Sequence, residues 1–357
     1  LLILFFVPNL SDPSQLFRFR LMGASSSTPQ PVASKYFADF EKTLPSLADK
    51  TIAITGCTTG TGFVAAQTSV RKGAKNVLML NRPSARATKA EAEIKSLIPA
   101  GSGTHVETIP CDLQDMASVK AAIKTIKSKY DSIDVLCNNA GVMALDDYAT
   151  KDCYDVQMQT NHISHFLLTK ELFPLLQRGK QLRGEARIVN HSSGARKIPP
   201  TPLKPEYFCK NGGNLGGNSN SMLTGGAKWE RYHQTKLANS VFTKTLAARL
   251  DGSGIKALVA APGLAATNLQ TTTNETGGMG GMMWMMKFAQ SAEDGTMPLL
   301  TCMFGEGVEN GEFYEPRDAM GWWGPAAKVK WDDLSAAEAN GKVLWEKSEE
   351  ACGSFKF

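Results

Sequence analysis

The amino-acid sequence predicts an α/β fold: one domain built on a doubly wound, mostly parallel sheet with helices on both faces. Three observations carry that expectation. Six apolar runs of four to six residues, each bounded by turn formers, recur from residue 51 onward, and runs of that length mark buried strands. Helix-length stretches separate them, and strands alternating with helices require crossovers and a parallel sheet covered on both sides. The composition is that of a globular chain, with 42% hydrophobic and 20% charged residues over 357 positions, which excludes collagen-like repeats, coiled coil and wholesale disorder.

Taken in order, Thr51-Ile-Ala-Ile-Thr55 is the first predicted strand, followed by residues 76–80, 105–109, 133–137, 187–190 and 255–260. Helical stretches fall at 62–72, 85–97, 116–129, 152–176 and 229–250. Right-handed crossovers wind such units into a doubly wound sheet. Residues 1–45 are set apart as a leader or flexible N-terminal segment, 46–320 as the domain, and 321–357 as a C-terminal extension packing on it. Two stretches break the alternation. Residues 197–228 join a proline-rich piece (Pro199, Pro200, Pro202, Pro205) to a glycine–asparagine piece between Asn211 and Asn220; an inserted loop of that length is functional or disordered. Residues 277–288 are apolar, glycine-containing and dense in methionine.

Lysine and arginine number 39 against 34 acidic residues, a net charge of +5 spread without a basic block. Nucleic acid is therefore not an expected partner. Seven cysteines occur without a Cys-x-x-Cys, so neither a zinc site nor a disulfide framework is expected, and a reducing compartment, cytoplasm or plastid, is the simpler reading. Residues 1–7 are apolar but too short to span a bilayer, which takes about 20 residues. Arg18, Arg20 and the serines at 25–27 suit a targeting leader. Sequence read through in frame ahead of a start at Met22 is the other reading. In that case Met22-Gly23-Ala24-Ser25-Ser26-Ser27 fits the pattern for N-myristoylation of Gly23.

The stretch Thr55-Gly56-Cys57-Thr58-Thr59-Gly60-Thr61-Gly62 lies between the first predicted strand and the first helix. Its glycines permit a tight turn and the close approach of a pyrophosphate, and the helix N-terminus beyond presents free N–H groups and a positive dipole end. Such a loop is also an ordinary strand–helix turn; its place after a strand is the context a dinucleotide site needs. The second strand ends Leu80-Asn81-Arg82. An acid here favours NAD, whereas an arginine meets the extra phosphate of NADP. Asn81-Arg82 lacks the acid and offers the guanidinium, so NADPH is expected over NADH; the competing reading is a solvated surface arginine. Tyr232-His-Gln-Thr-Lys236 lies on a predicted helix, where positions four apart share one face. A cation about 4 Å from a phenolate is worth roughly 4 kcal/mol at an effective dielectric near 20. That is enough to bring a tyrosine from about 10 toward neutrality and to make it a poised proton donor.

Together these residues resemble the short-chain dehydrogenase/reductase family, over residues 50–320. Residues 55–62 resemble its Thr-Gly-x-x-x-Gly-x-Gly signature, and Cys111-Asp112-Leu113 stands where the family's aspartate meets the adenine. Asn138-Asn139-Ala140-Gly141 is similar to its Asn-Asn-Ala-Gly, and Thr160-Asn161-His162 to its helix asparagine. Val189-Asn190-His191-Ser192-Ser193 is similar to the fifth-strand serine motif, Tyr232 and Lys236 to the catalytic pair, and Pro262-Gly263-Leu264-Ala265-Ala266-Thr267 to the Pro-Gly turn with its threonine near the nicotinamide. The resemblance implies a Rossmann-type domain that binds NADP(H) through Thr55, Gly56, Thr58, Thr59, Gly60, Thr61, Gly62, Asn81, Arg82, Asp112, Leu113, Asn139, Ala140, Gly141, Tyr232, Lys236, Pro262, Gly263 and Thr267. It implies hydride transfer between nicotinamide and a carbonyl carbon. Tyr232 would protonate the alkoxide, Lys236 would lower the tyrosine pKa and hold the ribose, Ser193 would orient the carbonyl, and Asn161 would keep a water in the proton path. From the residues alone, Ser192 competes with Ser193.

Asn161-His-Ile-Ser-His165-Phe-Leu-Leu and Lys236-Leu-Ala-Asn239 resemble the retinol-dehydrogenase-like branch. That implies a small lipophilic aldehyde, ketone or alcohol as substrate. His162 and His165 are read as packing or capping groups, and no metal is expected. The long Ser193-to-Tyr232 interval, the inserted loop and the tail Val343-Leu-Trp-Glu-Lys-Ser-Glu349 also resemble light-dependent protochlorophyllide oxidoreductase. That enzyme usually places a cysteine after the Pro-Gly turn, where this chain has Leu264, which counts against photochemistry. The five methionines and Trp284 within 279–286 would form a deformable apolar substrate wall; a buried helix and a peripheral membrane or partner contact are the competing readings. An NADPH-binding scaffold or sensor without turnover is a further alternative, as is a docking subunit using Trp322, Trp323 and Trp331. A homodimer through the helices bearing Asn161 and Tyr232 is permitted.

Overall fold

Hydrophobic runs too short for helices and flanked by glycine or asparagine become the strands of the computed structural model, which describes residues 32–221, 226–266 and 289–357. The strands are β1 (Thr51–Thr55), β2 (Asn76–Asn81), β3 (His105–Pro110), β4 (Val135–Asn138), β5 (Ala186–His191), β6 (Ile255–Ala260), β7 (Phe313–Asp318) and β8 (Trp323–Val329). They form one sheet in the order β3-β2-β1-β4-β5-β6-β7-β8. β1 to β7 run parallel, and β8 returns antiparallel to β7. The chain winds from β1 outward through β2 and β3, then crosses back to β4 on the other side of β1. Ligands of such sheets lie outside the carboxyl ends of the strands at that reversal.

Helices cover both faces: α1 (Phe37–Thr43), α2 (Gly60–Arg71), α3 (Ala85–Lys95), α4 (Met116–Lys129), α5 (Val156–Met158), α6 (Ser164–Arg183), α7 (Ala227–Arg249), α8 (Ala292–Phe304), α9 (Asp333–Ala336) and α10 (Glu338–Cys352). A π-helical turn, Gln159–Ile163, joins α5 to α6. Alternate strand residues point to opposite faces, and the core divides accordingly. Ala53 and Leu136 join Ile123, Phe166, Leu172 and Phe242 on one side. Ile52 and Ile54 join Val64, Ile94, Leu300 and Phe304 on the other. The N-cap of α4 is Asp115, whose carboxylate accepts from Ala117 and Ser118 N–H, the capping expected of an aspartate at that position.

The five elements that follow β6 have no counterpart in the sequence expectation. α8 contains Pro298 and β7 contains Pro316 beside a register irregularity; proline argues locally against either structure, and tertiary packing overrides it. β8, α9 and α10 come from the C-terminal extension. Leu344 and Trp345 of α10, with Phe355, are buried in the same core as Phe166 and Phe242 of α6 and α7. The inserted loop is held by its own contacts: Asp147 Oδ2 accepts from Leu215 N and Gly217 N at 2.7 and 2.8 Å. No helix among the described residues is long and apolar enough to cross a membrane.

Candidate active site

At the reversal point, the turn after β1 must pass close under the loop after β4, and glycine makes this possible. Gly56 has φ +73°, and a Cβ there would stand 2.9 Å from Ala140 Cα and Cβ. A Cβ on Gly62 would overlap the Gly56 carbonyl oxygen and Asn139 Nδ2. Thr59, the N-cap of α2, makes no side-chain capping bond, so the first N–H groups of that helix have no such intrachain acceptor. The result is a cleft of about 340 Å³ lined at this end by Gly56, Thr58, Thr59, Gly60, Thr61 and Asn139 to Val142.

Beneath the cleft lies a closed hydrogen-bond network. Thr55 is fully buried; its Oγ1 accepts from Asn139 N and Ala140 N at 3.0 and 2.9 Å. Asn139 Nδ2 donates to the Thr55 and Gly56 carbonyls, while its Oδ1 accepts from Thr61 Oγ1 at 2.8 Å and from His191 Nδ1 at 2.9 Å. His165 bridges Thr55 Oγ1 and the Asn161 carbonyl. Burial lowers His165 to about 4 and His191 to about 3, so both rings are neutral. His162 packs edge-on to Phe208 and Phe242 and bonds Ser348 Oγ. Asn81 is buried: its Oδ1 accepts from Cys57 N at 2.7 Å, and its Nδ2 has no hydrogen-bond partner among the described residues. Arg82, in the turn after β2, lies on the cleft wall, and so does Arg86 in the first turn of α3. Arg86 is not among the residues expected from sequence; its signal was its place in the first turn of a helix capped by Ser84, just after the strand that ends at Asn81. Asp112 and Leu113 stand beyond β3, outside the residues that line the cleft, with the Asp112 carboxylate accepting from Gln114 N.

The other end of the cleft is made by β5 and α7. His191, Ser192, Ser193, Tyr232, Lys236, Pro262, Gly263 and Ala265 line it. Ser192 Oγ donates to the Lys236 carbonyl and accepts from Ser240 Oγ, at 2.8 Å each, which ties it to the α7 backbone. Ser193 is the serine on the Tyr232 side, the one neighbour whose influence lowers the phenol's pKa against burial. Lys236 Nζ donates to the His191 carbonyl at 3.0 Å and sits 5.7 Å from the Tyr232 ring centroid. Burial lowers this ammonium to about 8. Asn161, in the π-helical turn, clamps Val142: Oδ1 accepts its N–H at 2.8 Å and Nδ2 donates to its carbonyl at 2.9 Å. π-turns inside helices recur at functional sites.

One expectation is corrected. The spacing of Tyr232 and Lys236 predicts a lowered tyrosine pKa; instead, burial pushes the phenol up, and the influence that draws it back comes from Ser193, not Lys236. The ammonium is directed at the His191 carbonyl and is itself desolvated, so the sharing of one helix face does not deliver the assumed close charge contact. Thr267, Gly23 and the methionine-rich stretch 277–288 lie outside the described residues. His191 and Met143 also face the cleft; the sequence assigns neither a role, although His191 stands inside the fifth-strand serine motif.

Residues 50–208 match the family described as short chain dehydrogenase. Retinol dehydrogenase 11 from Homo sapiens is 30% identical over 267 residues, 74% of this chain and 75% of the relative. An uncharacterised oxidoreductase from Schizosaccharomyces pombe is 33% identical over 228 residues, and the chain spans 63% of each length. Among solved structures, an uncharacterised protein from Mycobacterium paratuberculosis is similar with a TM-score of 0.66 at 28% identity, over 89% of this chain and 98% of that one.

Proposed function

The chain belongs to the short-chain dehydrogenase/reductase family, in its retinol-dehydrogenase-like branch, and from that premise we propose that it is an NADPH-dependent oxidoreductase interconverting a carbonyl and an alcohol on a small lipophilic substrate. The observation that carries this reading is the convergence of Ser193, Tyr232 and Lys236 at one end of a cleft whose other end is the glycine turn. The cleft's own chemistry suits a dinucleotide. Gly56 lets the turn lie against Ala140, where a Cβ would collide, the N-terminus of α2 is uncapped by a side chain, and Asn81 Nδ2 is a buried donor lacking an acceptor among the described residues. Gly56, Thr58 to Gly62, Asn139 to Gly141, Lys236, Pro262 and Gly263 are assigned to hold it. Arg82 and Arg86, with no acid at position 81, support NADPH through pairing with a phosphate.

When bound, the nicotinamide supplies or accepts the hydride. Tyr232 gives its proton to the substrate oxygen in reduction and takes it back in oxidation; its raised pKa keeps the proton in place at neutral pH. Ser193 hydrogen-bonds the same oxygen and orients it. Lys236 holds the ribose hydroxyls, and Asn161 positions the 140–142 turn through Val142. The named relative, a retinol dehydrogenase, supports a lipophilic alcohol or aldehyde as the substrate class.

The test is NADPH oxidation, followed at the nicotinamide absorbance, against carbonyls from short aldehydes to retinal. A Tyr232→Phe protein runs beside it, in the dark and in light with protochlorophyllide. Dark turnover that falls about 10²–10⁴-fold in the variant, the range for a lost general acid, with cofactor affinity unchanged, is the expected result. Undiminished turnover by the variant overturns the assignment of Tyr232. Turnover of small polar carbonyls alone overturns the lipophilic substrate, light-dependent turnover alone points to photochemistry, and cofactor binding without turnover to a sensor or scaffold.

A further inference from the structure

Arg196 is, with Arg231, one of the two largest fully buried side chains among the described residues, and it stands three residues after Ser193. Its Nη1 donates to the Ser193 carbonyl at 3.1 Å and to Glu315 Oε1 of β7 at 2.6 Å. Its Nε donates to Asp332 Oδ2 at 2.7 Å, and its guanidinium lies 4.3 Å from the Phe313 ring centroid. Asp332 in turn caps α9 by accepting from Ser335 N and Oγ. A buried charge set with two carboxylates gains little stability over an apolar filling of the same space. What it fixes is geometry, because the planar guanidinium presents donors in a rigid fork.

The geometry it fixes is that of Ser193. The Ser193 backbone is extended, with φ −160° and ψ 157°. The residue before it is held by Ser192 N donating to the Ala260 carbonyl, and the Ser193 carbonyl by Arg196 through both its backbone N–H and Nη1, at 3.1 Å each. We propose that Arg196 is a positioning residue that aims the Ser193 hydroxyl at the substrate oxygen, and that through Glu315 and Asp332 it makes the C-terminal segment a support of the reacting end of the cleft. This rests on the reading of Ser193 and Tyr232 given above.

Six proteins decide it: Arg196→Met, Arg196→Lys, Asp332→Asn, Ser193→Ala and the double variants Ser193→Ala/Arg196→Met and Ser193→Ala/Asp332→Asn. Asparagine keeps the capping oxygen at 332 while weakening the hold on Nε, so this variant carries the test if Arg196→Met does not fold. Misplacement by about 1 Å costs on the order of 10²-fold in rate. Arg196→Met is therefore expected to lose about 10- to 100-fold in kcat with NADPH affinity within about twofold. Arg196→Lys recovers part of the loss, and Asp332→Asn shows a smaller loss of the same kind. The midpoint of alcohol oxidation moves to higher pH in Arg196→Met as it does in Ser193→Ala. On the Ser193→Ala background, the Arg196 and Asp332 substitutions change nothing further, because coupled residues are non-additive. Additive losses, or an unmoved pH midpoint, overturn the proposal. If the wild-type protein turns over no carbonyl, the functional reading fails by itself, and hydrogen exchange then judges Arg196. The Ala195 N–H, which donates to Ser193 Oγ at 3.2 Å, exchanges faster in Arg196→Met and Asp332→Asn if Arg196 orders this turn, and at the wild-type rate if it does not.

Discussion

Gly56→Ala isolates the physical requirement on the glycine turn. The substitution places a Cβ at a backbone φ of +73°, 2.9 Å from Ala140 Cα and Cβ. An L-residue in the left-handed region costs about 1–2 kcal/mol, and overpacking a tight contact about 1–3 kcal/mol, so the native turn is raised by about 2–5 kcal/mol. The turn can escape by moving, which breaks Gly56 N to the Leu80 carbonyl at 3.0 Å and Cys57 N to Asn81 Oδ1 at 2.7 Å. Either route removes the surface offered to a pyrophosphate. At about 1.4 kcal/mol per decade, NADPH affinity falls at least about tenfold and the melting temperature drops. Gly73→Ala is the control: its φ is +77° but nothing lies within 4 Å of a Cβ there, and it is absent from the cleft. It carries the strain without the collision, so its melting temperature falls while NADPH affinity holds. Fluorescence titration of NADPH with thermal melts of both proteins makes the measurement. A Gly56→Ala protein that binds NADPH within twofold of the wild type refutes the reasoning.

Three further outcomes are expected. Arg82→Asp loses NADPH affinity by about 10- to 100-fold, the scale of one charge-assisted hydrogen bond of roughly 1.5–3 kcal/mol, while NADH affinity is unchanged or improved; equal losses for both cofactors reject Arg82 as the discriminating group. Lys236 has its pKa lowered by burial from 10.5 to about 8, so the unfolded state binds more protons between those values, and wild-type stability gains a rising term with pH across that window. Lys236→Met removes this term, and thermal melts of the two proteins between pH 8 and 10.5 should diverge by that slope; parallel curves exclude a desolvated ammonium. Arg231 is fully buried next to Tyr232, with Nε 3.5 Å from Asp155 Oδ2 and Nη1 3.7 Å from Asp147 Oδ2. Burial raises Asp155 to about 6, the Arg231 charge opposing. Arg231→Met leaves two carboxylates facing each other, a loss of about 3–5 kcal/mol when both are ionised. Protonation of Asp155 relieves it, so the melting temperature falls further at about pH 8 than at about pH 5, and equal losses would remove the carboxylates from the account.

What the sequence made legible follows from where the determining contacts lie. β1, β6 and α4 were readable to their ends because each is specified by its own apolar pattern and flanks: β1 has all five residues buried, and α4 starts at its own capping Asp115. The glycine turn and the Tyr232–Lys236 pair were readable for the same reason, as short-range patterns. α8 and β7 were not, because Pro298 and Pro316 argue locally against them and only packing on the sheet restores them. Arg196 was invisible for a different reason. Its partners are Glu315 and Asp332, 119 and 136 positions away, and nothing around it in sequence separates a buried arginine from a solvated one. The choice between Ser192 and Ser193 likewise needed α7 in place, since it is the Lys236 carbonyl and Ser240 that take up Ser192. The direction of the Tyr232 shift failed because spacing along a helix says which side chains are neighbours, not where the ammonium points.

The neutrality of His165 near Lys236 follows from hydrogen-bond counting as well as from burial. The Asn161 carbonyl can only accept, so His165 Nδ1 must carry a proton. Thr55 Oγ1 already accepts from two backbone N–H groups, so its own proton goes to His165 Nε2, 2.9 Å away, which must be bare. Asn139 Oδ1 fixes His191 by the same logic, with the proton on Nδ1. A second proton on His165 would place two donors at Thr55 and force its hydroxyl toward the Cys137 carbonyl at 3.5 Å, a poor contact. The network under the cleft is thus complete only with the His165 ring uncharged, burial keeps His191 neutral, and the Lys236 charge itself opposes protonation of both. Holding those neighbours neutral spares this desolvated ammonium two adjacent positive charges. It can therefore keep its proton at neutral pH with a single carbonyl, that of His191, as its partner.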